Sequence, residues 1–65
     1  MNVTEIKLRR ALAFNGLRMK DLIEKSGYSR VHIHRLIHGR SRSEKARYRI
    51  EEILGTQIFE RKDLE

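Results

Sequence analysis

Four glycines set the frame. Gly16, Gly27, Gly39 and Gly55 are the only glycines in the 65-residue chain, and there is no proline. Each closes a segment in which apolar residues recur at three- and four-residue intervals. A glycine just past a helix end takes the left-handed backbone that residues with a side chain resist. The spacing therefore predicts four helices and marks where each must stop. No segment sustains the alternation of a strand. The expected fold class is all-α.

The first helix is expected over residues 4–15. Asn2 and Glu5 have capping-box spacing, Leu8, Ala11 and Leu12 share one face, and Ile6, Ala13 and Phe14 flank it. The second is expected over 18–26, with Leu22 and Ile23 inward and Leu17 packing at its start. The third is expected over 29–38, capped by Ser29 and anchored by Ile33, Leu36 and Ile37. On a helical wheel Val31, Arg35 and His38 then point away from that stripe, with His34 to one side. The fourth is expected over 42–54, where Ser41 and Glu44 fit S-x-x-E and Ala46, Ile50, Ile53 and Leu54 repeat at helical intervals. Residues 56–65 carry Ile58, Phe59 and Leu64 and read as a short fifth helix or an extended arm. The expected architecture is a four- to five-helix bundle, with one domain over 1–55 and a tail over 56–65.

Composition narrows the functional classes. The chain has no cysteine, which excludes disulfides, thiolate metal sites and a cysteine nucleophile. A chain this short forms one small domain, burying only about 60% of the surface its unfolded form exposes, and has little room for a large cleft. No apolar run approaches the ~20 residues of a membrane span, and no signal-peptide pattern is visible. Charge is the more telling quantity. Fifteen Lys and Arg against nine Asp and Glu give +6. Residues 30–49 hold seven bases and one acid, whereas from Ile50 onward two bases face five acids. A basic middle implies a polyanionic partner.

The stretch from Leu22 to Gly39 resembles the helix-turn-helix of the lambda-repressor/Cro (XRE-like) family. Leu22, Gly27, Tyr28, Ile33 and Leu36 fall where that motif places its core residues and its turn glycine. Asn15-Gly16-Leu17 looks like the family's entry turn, His38-Gly39-Arg40 like its exit turn, and Ile50-Glu51-Glu52-Ile53-Leu54-Gly55 like its closing helix. The resemblance covers about residues 6–55. Two positions depart from the pattern: Ile23 stands where the family usually has alanine, and Ser26 where an apolar residue is usual.

The resemblance implies a sequence-specific regulator of transcription that binds double-stranded DNA. It would be a repressor or control protein of a bacterial or phage-infected cell, cytoplasmic and associated with the nucleoid. Helix 29–38 would lie in the major groove, which needs an apolar face to anchor it and an opposite face of donors. Ser29, Arg30, Val31, His34 and Arg35 are the expected base contacts, with Val31 against a thymine methyl. Arg18, Lys20, His38, Arg40 and Arg42 are the expected phosphate contacts. If the histidines meet phosphate, affinity rises as pH falls toward ~6.5, where imidazole charges. A homodimer on a two-fold site is expected; Ile58 and Phe59 either close the chain's own core or, the reading preferred for so small a domain, form its apolar patch.

Other readings carry less. His34 and His38 stand four residues apart, but no carboxylate completes a metal set. Ser29 with His32 lacks an orienting carboxylate, and Asp21 and Glu24 fall on the exposed side of the second helix, so no catalytic group assembles. No cofactor, small-molecule ligand or membrane partner is expected. Tyr28 is expected in the core, Tyr48 at the surface, and Arg47 and Arg49 in ion pairs or on DNA alike. The alternative function is a protein-interaction module using helix 42–54 and the Ile58/Phe59 tail.

Overall fold

The computed structural model describes residues 2–59. Among them are four α-helices and no strand: α1 (Val3–Phe14), α2 (Met19–Ser26), α3 (Arg30–Ile37) and α4 (Glu44–Leu54). All four glycines have positive φ. Gly39, whose φ is +74°, shows what the turn requires. There the Gly39 N–H donates to Leu36 O and the Arg40 N–H to Arg35 O, at 3.2 and 2.8 Å. These two bonds satisfy carbonyls the end of α3 would otherwise leave unpaired, and they fold Arg40 back over the helix.

Side-chain caps start the helices. Asn2 Oδ1 accepts the Glu5 N–H at 2.7 Å, and Ser29 Oγ accepts the His32 N–H at 3.1 Å. At α4 the expectation shifts by two residues. Ser43, not Ser41, is the cap, its Oγ accepting the Ala46 N–H at 3.3 Å, so the helix begins at Glu44 rather than Arg42. Both serines precede the same apolar repeat, and spacing alone does not choose between them.

The core is formed by Leu8, Leu12, Leu22, Ile33, Leu36, Ile50, Leu54 and their neighbours. α2 sits centrally, packed on both α3 and α4, with Leu22 fully buried. Tyr28 and Ile23 are partly buried against this cluster. Phe14 corrects the expectation for α1. It is 91% exposed, because its place on the wheel, about 120° from Leu8, turns it away from the buried face.

The segment after α4 decides between the two readings of Ile58 and Phe59, against the preferred one. Ile58 and Phe59 are 1% and 4% exposed. They belong to the chain's own core and form no apolar patch for a second copy. Glu51, itself buried, holds them: its Oε2 accepts the Ile58 and Phe59 N–H groups at 2.9 and 3.0 Å. The Arg47 guanidinium lies over the Phe59 ring, 5.6 Å from its centroid. Residues 47 and 51 are one turn apart, so one face of α4 seats this strap. Leu64 and the rest of the tail from residue 60 lie outside the described residues.

Candidate nucleic-acid interface

α3 divides into two faces. Ile33, Leu36 and Ile37 are buried and fix its rotation. Arg30, Val31, His34 and Arg35 are all exposed, as is the cap residue Ser29. The Ser29 oxygen is used by the His32 N–H, which leaves the hydroxyl hydrogen available to a partner. The helix contains no acid. The expected phosphate-binding residues Arg18, Lys20, His38, Arg40 and Arg42 are exposed too. Among the described residues, no ion pair engages Arg18, Lys20, Arg30, Arg35, Arg40 or Arg42.

The bases of α4 behave differently. Arg47 pairs with Glu44 and Arg49 with Glu52, each at 3.6 Å, and Arg49 also donates to Lys25 O at 3.3 Å. Arg47 is held further by Phe59. The cationic surface is thereby narrower than the charge count alone implies. Among the described residues, exposed cations outside any ion pair lie on α3, in the turn after it and at the start of α2, and also at Lys7, Arg10, Lys25 and Lys45.

Several polar side chains position this surface, and the sequence reading assigned them no such role. Asn2 Nδ2 donates to Ile37 O at 3.4 Å and lies 3.2 Å from His38 Nδ1. One side chain thus caps α1 and ties it to the end of α3. The His34 and His38 rings meet at 4.2 Å between centroids, tilted by 42°. At the opposite end of α1, Asn15 Nδ2 donates to Ala11 O and Leu54 O at 2.7 and 2.9 Å, joining α1 to α4.

The α2–α3 connection is equally specified. Gly27 at φ +81° ends α2, and its N–H donates to Ile23 O. Ser26 explains its own departure from the apolar preference: its Oγ donates to Ile23 O at 3.4 Å and accepts the Tyr28 N–H at 3.2 Å. The Tyr28 ring meets His32 on α3 at 4.9 Å. Asp21 is half-buried rather than free on the surface, and its Oδ2 accepts the Arg18 N–H at 2.9 Å. That bond fixes the start of α2 and the direction in which Arg18 leaves the backbone.

Among the described residues no three His, Asp or Glu side chains converge to hold a metal ion. None of the helices described is long and apolar enough to cross a membrane. Two open grooves flank α4, one lined by Ser26, Tyr28, Lys45, Tyr48, Arg49 and Glu52, the other by Asn15, Leu17, Lys25, Arg49 and Ile53. Compared with known proteins, the chain matches no family model, no curated protein and no solved structure.

Proposed function

We propose that this chain binds double-stranded DNA with sequence preference and acts as a transcriptional regulator through a helix-turn-helix of the lambda-repressor/Cro type. In this reading α3 lies in the major groove and α2 crosses the backbone. One observation carries it. α3 presents Arg30, Val31, His34 and Arg35 outward, with no acid of its own, while Ile33, Leu36 and Ile37 lock the helix to the core. A helix face that only had to stay soluble would mix both signs of charge.

Arg30 and Arg35 are suited to guanine, where a bidentate bond is worth about 1–3 kcal/mol of discrimination. Arg18, Lys20, Arg40 and Arg42 are suited to phosphate, which sets register without reading sequence. A dimer on a two-fold site, with half-sites about 34 Å apart, belongs to the same proposal. Its contact surface is not Ile58 and Phe59, which the core consumes. Their burial also weighs against the protein-interaction reading, which relied on the same two side chains.

Selection of genomic duplex fragments by the purified chain, followed by sequencing and gel retardation, tests the proposal. Arg30→Ala is expected to relax base choice at one position, and Arg42→Ala to weaken all sequences alike. If no duplex is preferred over random DNA, or if both variants leave affinity untouched, the proposal fails.

A further inference from the structure

The outward face of α3 holds one apolar side chain among its donors. Val31 is 62% exposed and stands outside the apolar cluster. Valine has lower helix propensity than alanine, and here burial in the core does not offset that cost. In a helix its χ1 is about 90% confined to one rotamer. Its two methyl groups are therefore held in a fixed direction, and little side-chain freedom is lost when they meet a surface.

The major groove of a duplex offers one apolar feature on its base edges, the C5-methyl of thymine. Arg30 precedes Val31 directly, and Arg35 follows it by one helical turn on the same outward face. Four residues of helix rise about 6 Å, close to two base-pair steps of DNA. A side chain reading a methyl group at residue 31 and one reading guanine at residue 35 thus address bases about two pairs apart when α3 runs along the groove.

We infer that Val31 is a methyl-reading specificity residue, selecting thymine over cytosine at one position near a guanine. This inference rests on the proposed placement of α3 in DNA and deepens it.

The test uses the full chain and two random-sequence duplex pools, one made with thymidine and one with deoxyuridine. Uracil keeps the O4 acceptor and the pairing of thymine and lacks only the methyl group. From the thymidine pool the wild-type chain is expected to enrich a motif with thymine at a fixed spacing from guanine. Replacing that one thymine by deoxyuridine should weaken binding about fourfold, the factor that burial of one methyl group corresponds to. Val31→Ser, which replaces the methyl groups by a hydroxyl, should bind both duplexes equally while keeping the guanine preference, and Val31→Ile should retain the response to the methyl group. Circular dichroism of each variant confirms that the helices persist.

The inference is overturned if the wild-type motif holds no thymine, if the wild-type chain binds both duplexes equally, or if Val31→Ser still discriminates between them. In each of these cases an enriched motif leaves the DNA reading standing. If neither pool yields a motif, that reading falls, and this inference with it.

Discussion

Glu51 shows how far one residue's role can lie from what its type suggests. In the sequence it is one of several acids on a polar helix. In the structure its buried carboxylate accepts two backbone N–H groups from the strap. Hydrogen bonds to a charged acceptor contribute about 1.5–3 kcal/mol each, and an orphaned buried N–H costs a similar amount. Two such bonds sum to about 3–6 kcal/mol, so Glu51→Ala is expected to lower the melting temperature by more than about 10 °C, using about 4–8 °C per kcal/mol for a domain of this size. A scanning-calorimetry shift of less than about 2 °C would show that the strap is held by packing alone. Phe14 makes the converse case. With 91% of its surface in water, Phe14→Ala should change stability by no more than about 0.5 kcal/mol, measured by urea unfolding. The exposed arginines of α3 were legible because their pattern is local. Glu51 was not, because its partners are fixed only by the path of the chain after Gly55.

At the scale of elements, the boundaries are set by short-range chemistry. The helix ends follow the glycines, and the starts follow Asn2, Ser29 and Ser43. Gly27 gives a clean test, since a Cβ added there meets nothing within 4 Å. Any cost of Gly27→Ala is then backbone strain, about 1–2 kcal/mol for a side-chained residue in the left-handed region. Gly27→Val should cost more, because a β-branched residue is a poorer occupant still. Thermal unfolding followed by circular dichroism orders the two, and equal melting temperatures for all three chains would contradict the turn geometry. The orientation of α3 depends on more distant bonds. Asn2 reaches Ile37 and His38 across thirty-five and thirty-six positions of sequence. Capping-box spacing signals the start of α1, and Asn2 does cap it, but the Glu5 carboxylate goes to Arg9 instead. That local signal holds no information about the second bond.

For the whole molecule, the division of charge governs binding. Arg47 and Arg49 of α4 stand in ion pairs, while Arg18, Lys20, Arg40 and Arg42 are exposed and outside any ion pair among the described residues. If each of these four meets a phosphate, the logarithm of affinity should fall with the logarithm of salt at a slope of about −3.6 per chain. Arg40→Ala should reduce that slope by about one. Affinity measured by fluorescence anisotropy across a salt series gives the slope directly, and a slope near zero would mean that these cations do not contact the backbone. The strap bears on assembly in the same way. With Ile58 and Phe59 inside, the chain completes its core without a second copy, and any dimer must form through other surfaces. The sequence by itself determined the four glycine-bounded helices, the inward stripe of each and the outward donors of α3, because apolar periodicity, caps and glycine turns act within a few residues. Only the tertiary structure decided which charges are spent internally, which of the late apolar residues are buried, and which asparagines fasten one helix to another. Those outcomes depend on groups that meet in space from positions far apart in the chain, and no local pattern carries them.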